Sequence, residues 1–413
     1  MSFIVFLQSV RAFFVICFLS LAFWGCSSPQ DPGNPGQPGN PPLFPPSLPS
    51  RIHFRVSGET CRVIPNTEKL SSTGAIQNFY ALAENPNRAH IPFIIPTTQS
   101  VYVVGDVHGV WEVILNALVN SGLMELDTPA RKVVSVEVSG RPVPTEIPNL
   151  RFRPGFVNKV IFMGDYIAKT SQEREVRVLG LLNDVLEKQS ALSFAEPAVV
   201  AILGNHDFEA VNGVVHPGYG HEKNYQAAIY SMVDRNLLVP SHFYNGIWYS
   251  HSYLTPNDLG HLRGLGADFY NSAHHVGHSD VLNRHVRAGV LTGGFDLGSW
   301  LSSSNTVNPA NFMYAMSAPA ADGFDPRGHY DQFPMIVGHL SDPSRQVLRV
   351  LTEGFGGRLL PQFTRRSHVL CTDTSIFLSR EANSPVTYLR IEYNTAGGGA
   401  PPVEFQSCSV PML

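Results

Sequence analysis

Charge is scarce in this chain. Asp, Glu, Lys and Arg make up 15% of the residues and leave a net charge of only −4, so no basic excess is available to grip a nucleic-acid backbone. No nucleic acid is expected as a partner. Cysteine is sparse too: the chain has 5, and none fall as Cys-x-x-Cys, which argues against a zinc-finger site. The apolar run at residues 12–24 falls short of the ~20 residues that cross a bilayer comfortably. Glycine and proline, by contrast, are plentiful at 35 and 32, which points to many loops. The length suits one large domain or two modest ones, at ~100–200 residues each.

Residues 1–25 read as an export signal and not as part of the fold. Arg11 precedes the apolar core, and Gly25-Cys26-Ser27-Ser28 follows it. That tetrapeptide resembles a bacterial lipoprotein cleavage site, where the cysteine becomes the lipidated first residue, although Phe23 and Trp24 stand where smaller or aliphatic residues are usual. Lipidation of Cys26 is the expectation, with plain secretion or an uncleaved anchor as alternatives. Ser27 beside it is compatible with delivery to an outer membrane, so the expected location is the bacterial cell envelope, with membrane contact through the lipid. Residues 26–50 form a Pro/Gly/Asn tract with almost no charge, an extended tether. In an oxidising compartment Cys61 and Cys408 are the natural disulfide pair, because both lie near the ends of the body. Cys371 then remains as a small hydrophobe in an apolar run.

The body, residues 51–413, opens with a strand candidate at 52–56 and a helix candidate at 73–83. A strand is expected at 101–104 and an amphipathic helix at 111–119. Residues 126–155, dense in Pro and β-branched side chains, suggest a surface hairpin or excursion. Further strands are expected at 157–163 and 198–203. Between them Val176, Leu179, Leu182, Val185 and Leu186 recur at helical spacing within 173–188. A helix at 224–235 and strands at 246–251, 334–339, 369–373 and 386–393 follow, then a short tail. Residues 252–332, rich in Gly and His with weak periodicity, read as a loop-rich stretch.

What recurs is a strand, then glycine, then a polar side chain. The runs are Gly105-Asp106-Val107-His108-Gly109, Gly164-Asp165, Gly204-Asn205-His206-Asp207 and Gly338-His339, with His251 closing another strand. One Gly-Asp turn alone could as well be an Asx-turn. Repeated, the pattern is the βαβ layout, which delivers its polar residues to one edge of a sheet. Carboxylates, imidazoles and an amide suit borderline divalent ions such as Mn, Fe or Zn. They are too many for one tetrahedral zinc, and they suit two ions ~3.5–4 Å apart that share a carboxylate and clamp both oxygens of a phosphoryl displacement.

In order and spacing these motifs resemble the calcineurin-like metallophosphoesterases, most of all the branch holding serine/threonine protein phosphatases, the phage lambda phosphatase and diadenosine-tetraphosphate hydrolases. The resemblance covers residues 101–374. It implies an α/β fold: a four-layer α/β/β/α sandwich of two mixed sheets flanked by helices, with a dinuclear metal site at the strand ends. It implies two divalent metal ions, manganese first, with iron or zinc as alternatives. Asp106 and His108 would hold one, Asp165 would bridge, and Asn205, His251 and His339 would complete the other. Asn205 would also contact substrate. His206, with Asp207 beside it, would serve as the general acid while a metal-bridging hydroxide attacks phosphorus.

Departures from the family pattern matter as well. The relatives continue Gly-Asp-x-x-Asp-Arg-Gly, and here Ala168 replaces the aspartate that orients the acid histidine, while Lys169 replaces the phosphate-gripping arginine. A lysine attracts phosphate as a point charge and not as a bidentate fork. Leu340 and Ser341 follow His339, so the Gly-His-x-His form of many phosphodiesterases is absent, which favours the phosphomonoesterase branch. Arg327 is the expected second phosphate contact, with Arg263, Arg284 and Arg287 as lesser candidates. His261, His274, His275, His278 and His285 read either as a cap over the pocket or as solvated loop residues. The expected activity is a metal-dependent phosphomonoesterase acting on a phosphoprotein or a small phosphorylated molecule. A hydrolase of nucleotides or dinucleoside polyphosphates is one alternative. A catalytically weak binding lipoprotein is another, which Ala168 keeps open.

Overall fold

A computed structural model describes residues 54, 56–63, 99–192, 194, 196–213, 221–245, 247–252, 275–292, 335–339, 347–348, 362–364, 369–372, 386–393 and 403–410. The chain divides into Met1–Pro46 and Ser47–Leu413, and every described residue falls in the second unit.

Strand β1 (Thr60–Val63) is followed by β2 (Ser100–Val104) and helix α1 (Trp111–Asn120). A long hairpin comes next, β3 (Met124–Val138) and β4 (Arg141–Phe152). Strand β5 (Lys159–Phe162) leads to α2 (Gln172–Ala191), and β6 (Val199–Ile202) to α3 (Asn205–Val211). A 3-10 turn (Glu222–Tyr225) runs into α4 (Gln226–Asp234), then β7 (Leu238–Val239), β8 (Ser241–Tyr244) and β9 (Ile247–Ser250). Helix α5 (His275–Thr292) precedes β10 (Met335–Val337), β11 (Val347–Leu348), β12 (Gln362–Thr364), β13 (Val369–Cys371), β14 (Val386–Tyr393) and β15 (Val403–Val410).

The result is a mixed α/β structure. Its large sheet has the order β1-β15-β14-β2-β5-β6-β7, and a second has the order β11-β12-β13-β10-β9-β8. Strands β2, β5, β6 and β7 run parallel, while β14 pairs antiparallel with β2. In the second sheet β9, β10 and β13 are parallel. Strands β2, β5, β6 and β10 are buried at every position. Apart from Ser100 and Lys159 at their amino ends they read as apolar runs, because a parallel strand is covered on both faces. Alternate residues of the large sheet (Val101, Val103, Ile161, Met163, Val200, Ile202) share one core cluster with Ile247, Tyr249 and Ile336 of the second sheet. Each such side chain contributes about 1.5–3 kcal/mol on burial.

Parallel pairing also sets where the strands end. The β2–β5 ladder runs on past both strands into the loops: Val107 N–H donates to Gly164 O (3.2 Å), His108 N–H to Asp165 O (2.6 Å) and Gly109 N–H to Tyr166 O (3.0 Å). The two carboxyl-end loops are thus locked to each other before any side chain is considered. The β3–β4 hairpin, expected as a surface excursion, lies along α2, where Arg177 Nε donates to Glu146 O (3.1 Å) and Lys132 pairs with Asp184.

Three expectations need correction. Among the described residues the first strand is Thr60–Val63; of the candidate 52–56, residues 54 and 56 lie outside any strand and the others outside the described residues. Part of the stretch read as loop-rich is the 18-residue helix α5, whose buried face includes Leu282, Val286 and Val290. Ser279 and Asn283 complete that face through hydrogen bonds to Ser241, so part of its contact is polar and the apolar periodicity is weak. The tail carries a full strand, β15, paired along all of β14. The helix candidate at 73–83 lies outside the described residues.

Cys61 stands directly opposite Cys408 in the β1–β15 pair, and the two form a disulfide. It fastens the edge strand β1 to a strand 347 residues away in sequence. The double variant Cys61→Ser/Cys408→Ser is expected to lose about 2–4 kcal/mol of unfolding free energy, as for other native disulfides. Denaturant titration with and without reductant checks this. An unchanged midpoint would mean that the backbone ladder alone holds β1.

Candidate metal centre

Seven polar side chains reach one place from the ends of five strands. Asp106 and His108 follow β2, Asp165 follows β5, and Asn205 and His206 open α3 just after β6. His251 and His339 follow β9 and β10. None of the seven is more than 9% exposed. One ligand atom from each of Asp106, His108 and Asp165 lies within 4.8 Å of the others, and the same holds for Asp165, His251 and His339. Asp165 belongs to both groups.

The loops that carry these residues are tightly constrained. A Cβ on Gly204 would sit 2.1 Å from Asp165 N and 2.3 Å from Asp165 Oδ1, so only glycine lets the two loops meet. Gly164, at φ +106°, presses from the other side, its added Cβ 2.6 Å from Gly204 N. His108, Asp165, Ala168, Lys169 and His339 also have positive φ, at 41°, 52°, 68°, 65° and 60°. Each such residue costs on the order of 1–3 kcal/mol and persists only where its surroundings over-determine it.

Backbone partners fix the direction of the ligands. His251 Nδ1 lies 2.7 Å from Met163 O and His108 Nδ1 3.0 Å from Ile167 O, which makes both Nδ1 atoms donors. Each Nε2 is then a lone pair aimed inward. Asp106 Oδ1 accepts from His339 N–H (2.9 Å), and Asp165 Oδ1 from His206 N–H (3.0 Å).

The inward atoms are almost all acceptors. His251 Nε2 lies 3.4 Å from Asp165 Oδ1, 2.9 Å from Asn205 Oδ1 and 3.2 Å from His339 Nδ1. His108 Nε2 lies 3.6 Å from Asp165 Oδ2 and 3.8 Å from Asp106 Oδ2. The imidazoles are neutral: burial pushes His108 and His339 down to about 3 and lowers His251. Burial opposes ionisation of Asp165 as well, but the histidines around it, His251 first, outweigh that and hold it below the usual carboxylate range. Only by turning its amide over could Asn205 donate to Asp165, His251 and His339. That orientation satisfies both ends of the amide, whereas a cation among these atoms would draw the oxygen inward instead. Lone pairs packed this way repel one another unless a cation lies among them. One already stands in for it: the Lys169 ammonium lies 3.0 Å from His108 Nε2. Among the described residues His339 Nε2 is buried with no hydrogen-bond partner. Two carboxylates, three imidazoles and an amide oxygen fit borderline divalent ions.

Other expected residues fall elsewhere. Asp207, expected beside the acid histidine in catalysis, is fully buried and accepts from Gly204 N–H and Tyr166 N–H, both at 3.0 Å. Burial first, then Asp165, raises it to about 7. Its two oxygens tie the loops together. Tyr166 is packing, its hydroxyl donating to Phe162 O at 3.3 Å. Arg284 donates to Asp280 O, and Arg287 pairs with Asp234 at 3.3 Å, so neither is bonded to the centre. Arg327, Arg263, His261, His274 and Cys26 lie outside the described residues, as do the side chains of His275, His278 and His285.

The sequence reading missed Glu209 and Glu222, which with His206 form a third group of closely spaced ligand atoms. Glu209, three residues after His206 on one helix, carried a usable signal. Glu222 had none. The close packing of the loops predicts that Gly204→Ala weakens divalent-ion affinity ~10–100-fold, the range for losing a ligand's supporting contacts. Calorimetric titration of the apo-protein with manganese reads this, and wild-type affinity would show that the Gly204–Asp165 contact is dispensable.

No curated protein matches the chain. Residues 100–290 match the model of the calcineurin-like phosphoesterase family, a stretch that holds every residue of the centre except His339. The chain therefore carries a calcineurin-like phosphoesterase domain and is a hydrolase acting on phosphoric esters.

Proposed function

We propose that this hydrolase is a metal-dependent phosphomonoesterase whose substrate is a phosphoprotein or a small phosphorylated molecule. The observation that carries the reading is the sharing of buried Asp165 between two groups of inward-facing acceptors. Asp106, His108 and Asp165 would hold one divalent ion, and Asp165, Asn205, His251 and His339 a second, manganese first, with iron or zinc as alternatives. When bound, the ions supply Lewis acidity, lowering the pKa of the attacking water and offsetting charge on the phosphoryl oxygens. The fold that goes with this reading is a four-layer α/β/β/α sandwich, consistent with a core cluster drawn from both sheets.

The chain's own groups do the rest. Lys169, half-buried beside His108, attracts the phosphate as a point charge. As the water oxygen bonds to phosphorus, the bond to the ester oxygen breaks and its electron pair stays on that oxygen. His206 gives a proton there. Ser341 stands two residues after His339, where many diesterases place a second histidine, which favours monoesters. The amino-terminal segments 1–25 and 26–50 suit an exported protein anchored at the cell envelope through lipidated Cys26.

Two outcomes are expected. Protein stripped with chelator should be inactive and should regain p-nitrophenyl phosphatase activity with manganese, far more than activity on the bis-ester. Asp165→Asn should abolish that restored turnover. Preference for the bis-ester would move the assignment to a phosphodiesterase, and tight metal binding without turnover to a binding module.

A further inference from the structure

We propose that Glu222, helped by Glu209, is the positioning carboxylate of His206, filling the role that Ala168 has no oxygen to fill. This inference rests on the phosphoesterase reading above and concerns the same site.

His206 is 5% exposed, with Nδ1 3.6 Å from Glu209 Oε2 and 3.8 Å from Glu222 Oε1. Glu209 lies one turn along α3, and Glu222 opens the 3-10 turn that packs against the same helix. The two carboxylates are 7% and 0% exposed. A buried carboxylate carries a desolvation penalty on the order of several kcal/mol and survives where a cation or donor answers it. Among the described residues neither oxygen of Glu222 has a hydrogen-bond partner, and its neighbour His221 is engaged elsewhere, 2.9 Å from Glu175 Oε2. The ring of His206, with Nδ1 3.8 Å away, is the group placed to answer Glu222. Burial works against the charged form of Glu222, but His206 outweighs it and the carboxyl is lowered.

The turn that carries Glu222 is itself fixed to the substrate side of the site. Glu175, fully buried on α2, accepts from Thr170 N–H (3.2 Å) and Thr170 Oγ1 (3.3 Å) through one oxygen and holds His221 with the other. The loop bearing Lys169 and the turn bearing Glu222 are thus joined through one side chain. With two carboxylates on its Nδ1 edge, His206 in its imidazolium form keeps one proton there and presents the other, on Nε2, to the leaving oxygen. A nitrogen held by a third group is the usual arrangement for an acid–base histidine. Separations of 3.6 and 3.8 Å exceed a hydrogen bond, and such contacts commonly tighten only in the substrate complex.

The test is Glu222→Gln in the full chain, assayed with saturating manganese on phenyl phosphate and on dinitrophenyl phosphate. Phenoxide needs the proton and dinitrophenoxide does not. We expect kcat on phenyl phosphate to fall ~10–100-fold, and kcat on dinitrophenyl phosphate to change by less than about twofold. KM and bound metal should be unchanged, and Glu222→Asp should recover part of the loss. Should Glu222→Gln melt early, Glu209→Gln gives a smaller loss with the same leaving-group dependence. Equal losses on both esters, no loss on either, or loss of a bound metal would overturn the assignment. Wild type inactive on both esters would instead overturn the phosphoesterase reading beneath it.

Discussion

A buried surplus of lone pairs around Asp165 is the condition that the structure is arranged to satisfy. Two carboxylates and three neutral imidazoles face one another out of reach of water, with an amide oxygen beside them. Left alone, such a group would cost several kcal/mol per carboxylate, on the order expected for buried unpaired ions. The Lys169 ammonium beside His108 answers part of it with a single charge. The rest calls for cations of higher charge, and the donor types suit those of the first transition row.

The fold makes that arrangement rigid. Short parallel strands end together, and the β2–β5 ladder continues into their loops, so ligands far apart in sequence are placed by main-chain bonds. Five residues at or next to the centre hold positive φ, which side chains resist. The apolar cluster between the sheets offsets that strain, since each buried aliphatic residue contributes about as much as one strained residue costs. Asp207 completes the frame by joining the two loops through their N–H groups.

Much of this was legible in the sequence, for a physical reason. Strands covered on both faces must be largely apolar, and a glycine must follow where two loops touch, so Gly164-Asp165, Gly204-Asn205 and Gly338-His339 announce themselves locally. What stayed hidden depends on contacts that no local pattern records. Helix α5 buries Ser279 and Asn283 against Ser241 and so lacks a clean apolar stripe. Strand β15 follows a Gly/Pro run and is specified by β14 and by Cys61 across the sheet. Glu222 reaches His206 only because a separate turn packs on α3. The bonds of the Asp207 side chain to the backbone of both loops are hidden in the same way, since the sequence shows only that it adjoins His206.

The sharing of Asp165 by two cations is the claim on which the rest depends. Manganese titrated into metal-free protein and followed by electron paramagnetic resonance tests it directly. Two ions joined through one carboxylate are magnetically coupled. The account predicts that the isolated-ion spectrum gives way to a coupled pair as the second equivalent binds. Isolated-ion signals at every loading, however tightly the metal is held, would contradict it.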